Sequence, residues 1–311
     1  MGSGAHCPVM VEEVLGGLNI CSGGHYLDCT FGRGGHSAAI LESLGPDGRV
    51  LALDKDSEAV NSEMAQRLKC FPGFEIQQSN FACMQDVVEE SGLHGKLTGV
   101  LMDLGVSSPQ IDNADRGFSF FKDGPLDMRM DRQSGQNAAE WLNVVSEAEM
   151  ANVFRRYGEE RFSRRIAHAI AQYRIDKPIT RTLKLATIIA QAVPFREPGK
   201  HPATRTFQAI RIFINNELEE LKAGLRQAFN VLIPGGRLVV IAFHSLEDRI
   251  VKRYIRDESR GDNLPADLPV LASTLQPRLE KIGKAQKPSH EEVAKNPRSR
   301  SAVLRVAKKL A

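Results

Sequence analysis

The stretch LDCTFGRGGHSAAIL, residues 27–41, sets Gly32, Gly34 and Gly35 within four positions, between an apolar run ending in an acid and a segment of helical character. A backbone this bare loses much conformational entropy on ordering and offers no side chains to pack, so it marks a place where a ligand approaches the main chain. Strand, glycine loop and helix in succession form a general nucleotide-binding device, because free amides at a helix N-terminus attract an anionic group. The spacing departs from the dinucleotide fingerprint G-x-G-x-x-G, since the third position counted from Gly32 holds Ser37.

Outward from the loop, GHYLDCTF at 24–31 reads as a short buried strand and 37–44 as a helix. GPDG at 45–48 is a turn, and RVLALDKD at 49–56 is a second strand that ends in acid. A helical stretch at 57–70, the strand FEIQQSNF at 74–81, a polar helix and the strand LTGVLMDLGVSS at 97–108 continue the alternation. Such alternation predicts a parallel sheet with right-handed crossovers. From 110 to 215 the rhythm breaks into turn-rich sequence and then helices with no convincing strand. PGGRLVVIAFHS at 234–245 restores the strand signal, and the alternation at Ala302, Leu304 and Val306 predicts a last strand within 297–309. Residues 257–296, Pro-rich and charged, are expected to carry little structure. The expected architecture is α/β: a Rossmann-like doubly wound sheet from 1–109 and 216–311, interrupted by a helical insertion at 110–215.

The chain has 311 residues, 42% of them hydrophobic, enough for a sizeable core. It has no run approaching eighteen apolar residues, and MGSGAHCPVM lacks the basic and apolar regions of a signal peptide. A cytoplasmic protein with no membrane association is therefore expected. The five cysteines (Cys7, Cys21, Cys29, Cys70 and Cys83) form no C-x-x-C pair, which argues against a disulfide framework and a zinc site, and no metal is expected. The formal charge of +3 is unevenly spread: residues 151–215 carry +9 and 252–311 carry +7, leaving −13 for the remainder. Two basic blocks flanking acidic sequence point to a polyanionic partner such as RNA or DNA, although a solvated helix face accounts for any single run.

Asp28 ends the first strand and Asp54 the second, about twenty residues beyond the glycines. An acid at Asp54 accepts both hydroxyls of a ribose, which NAD and S-adenosylmethionine (SAM) share. Asp28 tilts the choice to SAM, because an acid there can face an ammonium group but repels a pyrophosphate. DLGVSSPQ at 103–110 is a small-residue turn at the carboxyl edge, where open α/β sheets bind ligands. It looks like a variant, without the aromatic, of the compact proline turn by which amino-methyltransferases hold a base. An exocyclic amine is a poor nucleophile because its lone pair is conjugated with the ring. Hydrogen bonds from its N–H groups to a polar side chain and a carbonyl favour pyramidalisation. Ser107, Ser108 and the Pro109 carbonyl are the candidates, with Asp103 near the donor, and in-line positioning supplies most of the remaining catalysis.

HCPVM (6–10), DCTFGRGGHS (28–37), DLGVSSPQ, DRGFSF with DGPLDMRMD (123–131), YGEERFSRRIA, HPATRTFQAIRIFINNEL and FHSLEDRIVK together resemble the bacterial 16S rRNA (cytosine N4)-methyltransferase family, also called RsmH or MraW. The resemblance runs nearly end to end. It implies a class I SAM-dependent methyltransferase that methylates the exocyclic N4 of a cytidine in the decoding region of small-subunit rRNA, releasing S-adenosylhomocysteine, with the insertion helping to recognise substrate. It also implies cofactor contacts at Gly34, Gly35, His36, Asp54, Phe81, Asp103 and Gln110. Cys29 departs from the Gly or Ala usual in similar sequences.

Plainer roles stand beside these. His36 also suits a polar helix start, and Phe81 suits a core. Ser245 with Asp248 matches an [ST]-x-x-[DE] capping box, with His244 just before it at the carboxyl edge where it can line the cytosine pocket. Phe118, Phe120 and Phe121, interleaved with Arg116 and Lys122, read as a base-stacking segment or a buried loop anchor. Arg205 and Arg211, with Arg155, Arg156, Arg164 and Arg165, enrich the insertion in phosphate-binding groups. Asp127 and Asp131 could share a helix face but lack partners for a metal. A SAM enzyme for another amine, a SAM-binding ribosome-assembly factor and an NAD oxidoreductase are the rival readings, and a homodimer is left open.

Overall fold

Runs of Val, Ile and Leu bounded by glycine turns build a seven-stranded sheet, seen in a computed structural model that describes residues 8–195, 197, 199, 201–261 and 276–310. His6 and Cys7 of HCPVM lie outside the described residues. The chain forms two compact units, Met1–Gly105 with Leu218–Ala311, and Val106–Glu217.

In the first unit, α1 (Val11–Leu18) precedes β1 (His25–Asp28), α2 (Gly35–Leu44), β2 (Arg49–Asp54), α3 (Ser57–Val60), α4 (Glu63–Leu68), β3 (Phe74–Gln78), α5 (Met84–Glu90) and β4 (Leu97–Asp103). The strands run in the order β3-β2-β1-β4-β5-β7-β6. β1 to β5 are parallel, whereas β7 (Val303–Lys309) is antiparallel to both β5 (Leu232–Ala242) and β6 (Leu279–Gln286). The inner strands are buried along almost their whole length because helices cover both faces. α1, α2 and α4 cover one face, and α5, α12 (Glu217–Val231) and α13 (Ser245–Arg260) the other. Winding outward from β1 to β3 and then back to β4 leaves a switch point between β1 and β4, where open sheets bind ligands at the strands' carboxyl ends.

Two stretches differ from the reading of the sequence. The helical run at 57–70 is broken into α3 and α4 at Asn61, where Ser62 starts a new helix by accepting the Ala65 amide. Residues 257–296 were expected to carry little structure, yet they hold the end of α13, β6 and α14 (His290–Lys295). β6 was hidden because it is an edge strand with only Leu279 buried; its backbone pairing with β7 stabilises it, and its charged exposed face protects the edge.

The second unit holds α6 (Ser108–Asp112), a long ordered loop, and α7 (Ala138–Val144), α8 (Glu147–Gly158), α9 (Ser163–Asp176), α10 (Thr182–Ala192) and α11 (Thr204–Ile214). Its core is centred on Trp141, Phe154, Ile170, Ile189 and Phe207. It begins at Val106, four residues before the break expected after Pro109, because Val106 already packs on this helical core and the Ser107–Gln110 turn opens α6.

α8 and α11 approach so closely that a Cβ on Gly158 would stand 2.4 Å from the Arg205 carbonyl oxygen. Gly158→Ala is expected to destabilise the protein by about 1–3 kcal/mol, the usual scale of overpacking. Thermal unfolding at neutral pH measures it, and an unchanged transition would contradict this packing.

Candidate functional site

Asp54, Asp28 and Asp103 end the adjacent strands β2, β1 and β4, forming a row of carboxylates on the sheet edge. The glycine loop is laced to this row. Gly32 N–H donates to Asp54 Oδ2 (2.8 Å), Thr30 N–H to Asp28 Oδ1 (3.1 Å), and Asp103 N–H to Thr30 Oγ1 (2.7 Å). Gly34 is the N-cap of α2 at φ 73°, and a Cβ there would sit 2.5 Å from the Phe31 ring, so only glycine fits. Pro8 lies over Gly35, and the Met10 N–H donates to Glu292 Oε1 (2.8 Å), so α14 pins the segment that covers the start of α2.

Asp28 does not face a ligand ammonium as expected. It is fully buried, and Ser37 Oγ donates to its Oδ2 at 2.6 Å, so both oxygens brace the loop. Burial pushes its carboxyl above the ordinary range, against the lowering effect of Ser37, His36 and Thr30. Burial likewise raises Asp54 to about 6, although the Asp56 and Gly32 amides favour its ionised form. Each Asp54 oxygen takes one loop amide, which leaves lone pairs for further donors.

His36 Nε2 lies 3.5 Å from Asp103 Oδ2. Burial lowers the imidazole's pKa, but Asp103, Asp28 and Glu292 outweigh it, and the net shift is upward. His36 Nδ1 and Asp103 Oδ1 are buried without hydrogen-bond partners among the described residues. A cationic donor and an anionic acceptor, both unsatisfied beside a bare helix N-terminus, fit the carboxylate and ammonium of an amino-acid moiety. Phe81 follows β3 in a helical turn capped by Asn80, its ring partly buried against the core.

In the second unit, Ser107 is the N-cap of α6 and its N–H donates to Gln110 Oε1 (2.9 Å). Ser108 and Pro109 occupy the first two helical positions. The Pro109 carbonyl, expected to orient an amine, accepts the Asn113 N–H (2.9 Å), which occupies one of its two lone pairs. Ser108 Oγ has no hydrogen-bond partner among the described residues.

The sequence profile of the MraW methylase family matches residues 3–310. This chain belongs to the MraW methylase family. It is 54% identical over 306 residues to the ribosomal RNA small subunit methyltransferase H of Chromohalobacter salexigens, covering 98% of this chain and 92% of that one. It is 53% identical over 307 residues to the protein of the same name from Alteromonas mediterranea, covering 98% and 97%. A solved structure described as a putative rRNA-methylase from Clostridium thermocellum aligns with a TM-score of 0.45 at 10% identity, over 98% of this chain and 100% of that one. As an MraW methylase, the chain is an enzyme of the class I methyltransferase fold that takes its methyl group from SAM.

In this MraW methylase the residues expected to touch RNA are placed otherwise. Arg116 is 1% exposed, and its guanidinium donates to the carbonyls of Met130 (2.9 Å) and Arg129 (3.2 Å). Phe118 is buried beside it, its ring centroid 5.9 Å from the Arg116 guanidinium carbon. Both therefore anchor the loop. Arg205 is engaged by Glu197 (2.7 Å) and the Glu159 carbonyl (3.3 Å). His244, not Ser245, caps α13: its Nδ1 accepts the Glu247 N–H (3.4 Å), while Asp248 forms a two-point ion pair with Arg305 (2.7 and 3.0 Å). Asp127 and Asp131 share no helix, and Asp127 pairs with Arg129. Glu292 was missed, although S-x-x-E at Ser289–Glu292 is a readable capping signal.

Ser37→Ala is expected to cost about 1.5–3 kcal/mol, the worth of a hydrogen bond to a charged group. The loss is expected to shrink at acid pH, where a protonated Asp28 no longer needs that donor; denaturant unfolding at two pH values measures both.

Proposed function

We propose that this chain transfers the methyl of SAM to the exocyclic N4 of a cytidine in small-subunit rRNA, in the cytoplasm. The observation that carries the substrate is the identity of 53–54% across nearly the whole chain to proteins named ribosomal RNA small subunit methyltransferase H. The sheet edge supports the donor. Gly34 and Gly35 present bare backbone, His36 and Asp103 hold the two charges of the methionine moiety, Asp54 accepts the ribose hydroxyls, and Phe81 lies against the adenine. Gln110 secures the turn that follows Asp103. Bound SAM supplies a methyl on a sulfonium, which departs as the neutral thioether of S-adenosylhomocysteine.

No strong base is needed for the attack, because the amine has only to be held in line and its lone pair freed from the ring, and the methylated nitrogen, cationic once the thioether leaves, is acidic enough to release its proton to water. Ser108 Oγ is available as an acceptor for one amine N–H, and Ser107 stands next to it. Pro109 stiffens the first turn of α6, and its carbonyl, which accepts the Asn113 N–H, keeps a second lone pair for an amine N–H. Asp103 and Ser108 are five residues apart, so the chain itself limits their separation to roughly 18 Å. His244 shapes the carboxyl edge through its cap on α13.

The test is methyl transfer from labelled SAM to small ribosomal subunits lacking the modification, followed by nucleoside mass spectrometry. N4-methylcytidine is the expected product, and a mark on a base carbon would refute the amine chemistry. Ser107→Ala with Ser108→Ala is expected to lower kcat by roughly tenfold to a hundredfold, the scale of lost positioning hydrogen bonds, with SAM affinity retained. Undiminished turnover removes both serines from the mechanism.

SAM affinity is also expected to fall as pH drops through about 6, where Asp54 takes up a proton and loses acceptor capacity. Calorimetry between pH 5 and 8 reads this step, and Asp54→Asn should flatten it.

A further inference from the structure

We infer that the junction of α8 and α9 is a docking groove for a single-stranded segment of the RNA, with phosphates on Arg155, Arg164 and Arg165 and an unpaired base on the aromatic wall beside them. This rests on the proposal above that the substrate is RNA; of the arginines the sequence offered for phosphate, it selects Arg155, Arg164 and Arg165 and adds an aromatic wall.

α8 stops at Gly158, Glu159 turns the chain in the left-handed conformation (φ 49°), and α9 restarts at Ser163. The concave surface formed there is lined by Arg155, Arg161, Phe162, Arg164 and Arg165. All four arginines are exposed. Arg155, Arg164 and Arg165 make no ion pair or hydrogen bond among the described residues, and with Arg161 they gather four exposed guanidinium groups around one concavity. Two acids share the groove with the four arginines: Glu160 is buried and accepts the Phe162 N–H at 2.8 Å, while Glu159 is exposed, so the lining stays net positive.

The placement of these charges works against the helix that carries them. α9 has no acidic residue in its first turn and no side-chain cap at Phe162, so Arg164 and Arg165 stand at the positive end of its dipole. A local arrangement that opposes folding in this way is expected where a bound anion compensates it.

A second concavity shares Glu160, Arg161 and Phe162 and adds Phe195, His201 and the ion pair of Glu197 with Arg205. Phe195 is 65% exposed, and His201 stacks on Phe120 with centroids 4.7 Å apart and an interplanar angle of 18°. Unmatched arginines next to accessible ring faces suit a strand with free bases. They do not suit a duplex, whose base faces are stacked away.

The test uses fluorescence polarisation of a labelled short oligouridylate and of an RNA duplex of equal length, over a series of KCl concentrations. Wild type is expected to prefer the single strand. Arg164→Ala with Arg165→Ala should reduce the slope of log Kd against log salt by about 1.4, the counterions of two phosphates on a single strand. Phe195→Ala should weaken binding about tenfold, the scale of one lost stacked base. Arg164→Lys with Arg165→Lys should keep the slope, and all variants should keep the wild-type melting temperature and SAM affinity. Equal affinity for the duplex, or an unchanged slope in the alanine variant, overturns the groove. Wild type that methylates small subunits, alongside groove variants with unaltered KM and oligonucleotide binding, refutes the groove and leaves the proposed reaction standing. Wild type that methylates no ribosomal RNA refutes that reaction, while the oligouridylate still decides the groove.

Discussion

A loop with three glycines in four positions has no side chains to hold it, so its shape depends on carboxylates that capture its amides. Asp28 and Asp54 do this from adjacent strand ends, and Ser37 returns from the first turn of α2 to close the network on Asp28. The loop opens from left-handed Gly34 straight into α2. Without those acceptors the amides would have to find water, and the cradle would lose its form.

Holding the loop this way gathers negative charge. Asp28, Asp54 and Asp103 end neighbouring strands, and burial raises the first two toward neutrality. His36 is the local compensation, held toward its cationic form by Asp103, Asp28 and Glu292. The remaining mismatch, an imidazole nitrogen and a carboxylate oxygen without partners, is what a zwitterionic ligand would satisfy. Burial and partners separate two acids at the same edge: Asp28 is fully buried with both oxygens bonded, whereas Asp103 is 25% exposed and its Oδ1 has no partner among the described residues.

The helical unit obeys the same constraint with the opposite sign. Arg116 is drawn inside because the loop it serves has carbonyl groups to satisfy, while Arg155, Arg164 and Arg165 remain outside without matching acids. Net charge along the chain therefore locates a basic region but not the basic surface. A buried guanidinium and an exposed one count equally in composition.

The sequence by itself determined the alternation of strand and helix, the glycine loop, the acids at Asp28, Asp54 and Asp103, and the helical insertion. Those features are local: a period of two or 3.6, a turn residue, an acid at the end of an apolar run. It assigned little structure to 257–296 and so missed β6, whose stability comes from pairing with β7 rather than from a buried face. It also misjudged Asp28, Arg116 and Phe118. What each of those groups can bind depends on which partners the rest of the fold has already supplied. Local chemistry gives a residue its capacity, and only tertiary contacts decide whether that capacity is still free.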